Sequence, residues 1–210
     1  MSSYSLQVIE DCSPFYVRFT FDNLSQIVQY AKDNDKEIGF TKYLKEERGP
    51  DYEHINLYAD VGQRIVEMLP FKDIAPFMTR RVAIFDTPPG GGCGIHRDGA
   101  DTKVSFNIVL DSADDLCETT WYNSTEAFES LEQQGFEDNY TRCVYPNYRV
   151  MAFRHSPIKR MVARPNEMIL FNTDIYHAWQ NVKSTNRRRV LTLRLLESDL
   201  SFKDIKDKLL

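Results

Sequence analysis

The sequence predicts a mainly β protein, an antiparallel jelly roll with flanking helices in a single domain. Three observations carry that expectation. From residue 81 onward, short segments rich in β-branched and aromatic residues alternate with turns. The two clearest helical stripes both fall before residue 80, so helices come first and strands later. The chain has 210 residues, 42% hydrophobic and 27% charged, enough for one real core with a soluble surface.

The elements follow in order. Leu6, Val8 and Ile9 suggest a first short strand. Phe15, Val17, Phe19 and Phe21 suggest a second, with the period of two expected of a half-buried strand. Asp22 or Asn23 can cap a helix whose apolar stripe is Leu24, Ile27, Val28 and Ala31. A second helix is expected over 57–69, with Leu57, Val61, Ile65 and Leu69 on one side, ending before Pro70. Strands are expected at 81–85, 103–110, 119–122, 149–153, 168–171 and 189–196. A short helix at 124–134, stopped by Gly135, interrupts them. A final helix follows Ser201, whose spacing to Asp204 matches a capping box. The expected division is a helix-rich part at 1–80 packing on the barrel, a jelly-roll core at 81–196 and a C-terminal helix at 197–210.

Composition excludes some classes. A net charge of −5 argues against the broad basic footprint of a nucleic-acid binder. No apolar run approaches the ~20 residues of a membrane helix. The N-terminus lacks the charged-then-apolar pattern of a secretory signal, which points to the cytoplasm. The four cysteines, Cys12, Cys93, Cys117 and Cys143, are widely spaced and are expected to be free thiols.

The chemistry concentrates in two segments. His96 and Asp98 lie in Gly90-Gly91-Gly92-Cys93-Gly94-Ile95-His96-Arg97-Asp98-Gly99, and His177 in Phe171-Asn172-Thr173-Asp174-Ile175-Tyr176-His177-Ala178-Trp179. Two imidazoles and a carboxylate on one face of a metal form the facial triad that suits non-haem Fe(II) and leaves positions open. Residues i and i+2 of a strand share a face, so His96 and Asp98 can approach one ion with Arg97 turned away. Glycines 90–94 let the backbone turn tightly into that position. His54 and His155 lack such context and read as surface or packing residues.

Downstream lies Asn186-Arg187-Arg188-Arg189-Val190-Leu191-Thr192-Leu193-Arg194-Leu195. An arginine pointing into a barrel needs a buried anion, and a guanidinium fork matches a carboxylate. Alternation puts Arg188, Val190, Thr192 and Arg194 on one face, and Arg187, Arg189, Leu191, Leu193 and Leu195 on the other. Ser105, Asn107 and Val109 share a face in the same way. Arg194 has two readings, as the partner of an acidic substrate or as a surface salt bridge. Trp121, Tyr122 and the aromatics of 135–149 are substrate contacts or cover for the core.

An H-x-D pair, a distal His, then Arg about ten residues later on the next strand resembles the Fe(II)/2-oxoglutarate-dependent oxygenases, over roughly 81–196. Within that span, 167–172 and 177–181 are most similar to the aspartyl/asparaginyl β-hydroxylase-like branch, as is 103–110. The resemblance implies a double-stranded β-helix, the cupin-like jelly roll. It implies Fe(II) on His96, Asp98 and His177, with 2-oxoglutarate as co-substrate and O2 as oxidant. Hydroxylation of a small molecule, an amino acid or a protein side chain would follow, with succinate and CO2 as co-products. It also implies an arginine for the far carboxylate of 2-oxoglutarate. Arg188 followed by Leu191-Thr192-Leu193 fits the register, while Arg187 and Arg189 stay open. Ser105 and Asn107 fall where the co-substrate or substrate is hydrogen-bonded. Halogenating relatives lack the carboxylate ligand, so Asp98 favours hydroxylation or another oxidation. Three other classes remain alternatives: a non-catalytic jelly-roll binding protein; a zinc hydrolase, although no glutamate of the H-E-x-x-H kind adjoins either histidine; and a cupin-type isomerase or dioxygenase without co-substrate, although the H-x-H with a further Glu usual there is lacking.

Overall fold

The computed structural model describes residues 5–35, 39–41, 53–78, 82–89, 91–98, 103–111, 117–123, 156–181, 185–195 and 200–210. Among the described residues, twelve strands form two sheets. The strands are β1 (Leu6–Cys12), β2 (Tyr16–Phe21), β3 (Gly39–Thr41), β4 (Glu53–Asn56), β5 (Ala83–Thr87), β6 (Gly92–His96), β7 (Val104–Asp111), β8 (Glu118–Trp121), β9 (Lys159–Val162), β10 (Met168–Asn172), β11 (His177–Gln180) and β12 (Arg188–Arg194). The helices are α1 (Leu24–Asp33), α2 (Ala59–Met68) and α3 (Phe202–Leu209). The larger sheet runs β1-β2-β10-β7-β12-β5-β4-β3 and the smaller β6-β11-β8-β9, with neighbouring strands antiparallel. The fold is a jelly roll of the cupin-like kind.

Period-two alternation sorts the larger sheet into two faces. Val17 and Phe19 on β2, Phe106, Ile108 and Leu110 on β7, and Leu191 and Leu193 on β12 enter one apolar core. The helices cover that face: Leu24, Ile27, Val28 and Ala31 of α1, Val61, Ile65 and Val66 of α2, and Phe202, Ile205 and Leu209 of α3. Each stripe repeats at helical spacing, so one side of each helix removes its apolar surface from water. Phe19, Phe71 and Phe106 cluster there, with Phe71 stacked on Phe106 at 5.5 Å between centroids. A second core lies between the sheets, where Tyr16, Val109, Trp121, Ile169, Phe171 and Val190 meet.

Several details differ from the sequence expectations. β1 and β2 extend the larger sheet, with β2 pairing directly to β10. The segment before residue 81 therefore supplies four strands as well as two helices. Asn23 precedes α1 but does not cap it; its Nδ2 donates instead to Met68 O at 2.7 Å, tying the start of α1 to the end of α2. α2 begins at Ala59, two residues later than expected, and the Leu57 N–H donates to Val82 O at 2.9 Å. Glycines 92–94 lie inside β6; the turn before it closes through Gly91 N donating to Pro88 O at 2.9 Å. β6, β9 and β11 had no clear pattern of their own. The capping box of α3 is present, with Asp204 N donating to Ser201 Oγ and Ser201 N to Asp204 Oδ2. Cys12 and Cys117 form no disulfide among the described residues. The strand expected at 149–153, the helix at 124–134, and the side chains of His54, Cys93, Cys143 and His155 lie outside the described residues. No described helix is long and apolar enough to cross a membrane.

Candidate metal centre and its cavity

The smaller sheet brings the two histidines together. β6 and β11 run antiparallel with His96 directly opposite His177, and the ring centroids lie 4.4 Å apart. Side chains of directly opposed residues stand on the same face. His177 opens β11, after a turn that separates it from β10. Asp98 lies two residues past the end of β6, and its N–H donates to Thr173 O at 3.0 Å. This bond pins the chain so that Asp98 faces the histidines. The ligating atoms of His96, Asp98 and His177 all lie within 4.8 Å of one another. Asp98 Oδ1 is 3.8 Å from His96 Nε2. Arg97 turns away, its guanidinium 5.5 Å from the Tyr176 ring.

The surroundings suit metal binding. His177 is buried, and its Nδ1 lies 2.8 Å from Ile175 O. An N–H donated from Nδ1 fixes the ring and leaves the Nε2 lone pair for an ion. Burial, and then the nearby His96, push the His177 pKa down to about 3, so the ring is neutral, as a ligand must be. Phe171 packs edge-on to His177 at 4.8 Å, and Trp179 edge-on to His96 at 5.3 Å. The donor set of two imidazoles and one carboxylate fits the 2-His-1-carboxylate facial triad of Fe(II).

The triad lies at a cavity between the sheets, which opens to solvent. The larger sheet contributes Ser105 and Asn107 from β7, and Arg188, Val190, Thr192 and Arg194 from β12. Their cross-strand register is direct: Asn107 opposes Thr192, and Ser105 opposes Arg194. All six residues singled out for metal or co-substrate thus border one space.

The three consecutive arginines part company. Arg188 is 7% exposed and lines the cavity. Arg187 is half-exposed and pairs with Asp86 at 2.9 Å. Arg189 points outward into three carboxylates, with Asp35 at 2.6 Å, Asp111 at 3.3 Å and Asp86 at 3.7 Å. Asn107 Oδ1 is buried with no hydrogen-bond partner among the described residues.

Sequence reasoning missed Thr119, Thr173, Phe85 and Trp179, which also line the cavity. Thr119 carried a signal, since alternation puts it on the face of Trp121, which faces the inter-sheet core. Trp121 and Tyr122 themselves are not cavity residues. Trp121 is fully buried and stacks on Tyr16 at 5.0 Å, while the Tyr122 hydroxyl accepts from Thr120 Oγ1 at 3.0 Å. The aromatics at 135–149 lie outside the described residues.

No family model matches the sequence, and no curated protein matches it. Solved structures do match the fold. A 2OG-Fe(II) oxygenase-family oxidoreductase from Burkholderia pseudomallei is 11% identical, with 91% of this chain and 88% of that chain covered and a TM-score of 0.58. HygX from Streptomyces hygroscopicus, crystallised with nickel and 2-oxoglutarate, is 9% identical, with 89% and 84% covered and a TM-score of 0.59. A prolyl-4-hydroxylase from Pseudomonas putida is 11% identical, with 93% and 92% covered and a TM-score of 0.51. The chain therefore has the fold of the 2OG-Fe(II) oxygenases, and a His-Asp-His cluster of the kind that holds iron lies in its cavity.

Proposed function

We propose that this protein is an Fe(II)- and 2-oxoglutarate-dependent dioxygenase. It hydroxylates a small molecule, an amino acid or a protein side chain, with succinate and CO2 as co-products. The observation that carries the reading is Arg188. Its guanidinium borders the same cavity as the triad and is buried, and no carboxylate among the described residues pairs with it. An unpaired buried charge costs several kcal/mol, so the cavity is built for an anionic ligand. A planar fork takes a carboxylate through two parallel hydrogen bonds, and 2-oxoglutarate has a carboxylate to spare at its far end.

In this reading His96, Asp98 and His177 hold Fe(II). When bound, iron and 2-oxoglutarate supply oxygen activation by oxidative decarboxylation. The chain supplies geometry. Ile175 O fixes the His177 ring, and Thr173 O fixes the backbone of Asp98. Arg188 orients the co-substrate from its far end. Asn107 offers a buried acceptor to whatever donor enters, and Ser105 a hydroxyl. Phe85, Phe171 and Val190 form apolar wall that keeps water from the reacting atoms. The finer placement near the aspartyl/asparaginyl β-hydroxylase-like branch rests on the sequence patterns at 103–110, 167–172 and 177–181.

The test is an anaerobic titration of metal-free protein with Fe(II) and then 2-oxoglutarate, followed by visible spectroscopy. A charge-transfer band that needs both additions, and weakens in Asp98→Ala and Arg188→Ala, is the expected outcome. No band, together with no 2-oxoglutarate binding by calorimetry, rejects the reading.

A further inference from the structure

The cavity holds one more cation than the proposed cofactor and co-substrate use. Among the described residues, its charged lining is Asp98, Arg188 and Arg194. A divalent cation and a dianionic co-substrate cancel each other, so the loaded cavity keeps a surplus of one positive charge. Arg188 meets the far carboxylate of the co-substrate, and the surplus sits on Arg194.

Arg194 is placed to use it. Its side chain is 31% exposed, whereas Arg188 is buried. Its ion-pair partner among the described residues is Asp98, with Nη2 3.6 Å from Oδ2. That separation is beyond hydrogen-bonding range, so the guanidinium fork remains open to a better acceptor. Once Asp98 gives its charge to a metal, even this contact weakens. Ser105, buried and lining the cavity, lies directly across from Arg194 on β7. A guanidinium with a hydroxyl beside it is a carboxylate-binding pair.

We propose that Arg194, with Ser105 beside it, binds a carboxylate of the substrate, and that the substrate is therefore acidic. This rests on the dioxygenase reading and names its substrate class. The carboxylate comes either from a free acidic molecule or from the acidic side chain of a peptide. Anchored there, the substrate presents a neighbouring carbon to the metal while its charge replaces the attraction of Asp98.

The test uses the full chain loaded with Mn(II) and N-oxalylglycine, a non-reacting analogue of 2-oxoglutarate. The paramagnetic ion broadens the proton lines of any probe bound beside it. The probes are matched acid and amide pairs: L-aspartate with L-asparagine, L-glutamate with L-glutamine, and capped tripeptides carrying the same side chains. The expected result is broadening of an acidic member over its amide, among the free amino acids or among the peptides. That preference falls about tenfold or more in Arg194→Gln and is partly retained in Arg194→Lys. Mn(II) affinity in Arg194→Gln stays close to that of the unchanged protein, and matching melting curves show that it is folded. The proposal is overturned if no acid outcompetes its amide, or if Arg194→Gln keeps the preference. It is overturned equally if that variant loses Mn(II) affinity about tenfold, because Arg194 would then be serving Asp98. Failure of the unchanged protein to bind Mn(II) and N-oxalylglycine would instead reject the dioxygenase reading itself.

Discussion

On β12, Leu191 and Leu193 look outward into the helix-covered core, while Arg188, Val190, Thr192 and Arg194 look inward onto the cavity. β7 divides the same way, with Phe106 and Ile108 outward and Ser105 and Asn107 inward. The outward face is apolar, sealed by α1, α2 and α3, and its contribution is stability. The inward face is more polar, and Asn107 Oδ1 on it has no hydrogen-bond partner among the described residues. Neighbouring arginines show the contrast most sharply. Arg189 meets the carboxylates of Asp35, Asp86 and Asp111, whereas Arg188 lines the cavity with no carboxylate paired to it among the described residues. One residue of offset separates a structural ion pair from a candidate binding group.

The comparison can be broken by substitutions on either face. The largest effect is expected at the metal centre. His96→Ala or Asp98→Ala should weaken Fe(II) binding by more than about 100-fold, beyond the loss typical of supporting residues, and abolish turnover. Calorimetry with Fe(II) under anaerobic conditions measures this, and the melting temperature of the metal-free variants should not fall. On the outward face, Phe106→Ala should cost about 3–5 kcal/mol in urea denaturation, because it empties a site enclosed by Phe19 and Phe71. Inward, Thr192→Val should cost about 1 kcal/mol or less. Equal costs for the two would mean that Thr192 is packed as tightly as the helix-covered core.

Arg188→Ala should weaken 2-oxoglutarate binding by the value of a charge-assisted contact, about 1.5–3 kcal/mol, with little change in melting temperature. Acid should act through His177. Its folded pKa of about 3 lies below the 6.5 of an unfolded imidazole, so between these values the unfolded chain binds the extra proton. Stability of the metal-free protein is therefore complete above pH 6.5 and falls as pH drops toward 3, by at most about 1.4 kcal/mol per pH unit from this group. Melting curves across that range check it; His177→Gln should flatten the dependence. The smallest effect is expected at Arg187→Ala. Its pair with Asp86 is half-exposed, so both stability and 2-oxoglutarate affinity should change by less than about 0.5 kcal/mol.

Periodicity made the outward face legible in the sequence. The stripes of α1 and α2, the alternation in β2, β7, β10 and β12, and the Ser201–Asp204 box each follow from a residue pattern of one element. The division of β12 into two faces followed from the same rule. The smaller sheet was harder. β6 is rich in glycine, β9 carries two cations, and β11 is only four residues long. Such segments lack strand character of their own and become strands by pairing with neighbours. Asn23 misled for a related reason, since a distant carbonyl at Met68 outcompeted the local cap.

By itself, then, the sequence determined the three described helices, the long strands of the larger sheet with their faces, and the identity of the three candidate metal-binding side chains. Those properties are set by spacing along one segment. Tertiary structure alone decided that His96 meets His177, that Asp98 is pinned to Thr173, and that Arg188 rather than Arg187 or Arg189 enters the cavity. Each depends on strand register, and register is chosen by burying one face against helices far away in the chain. A slip of one residue on β12 would send Arg187 and Arg189 inward and leave Arg188 among the carboxylates outside.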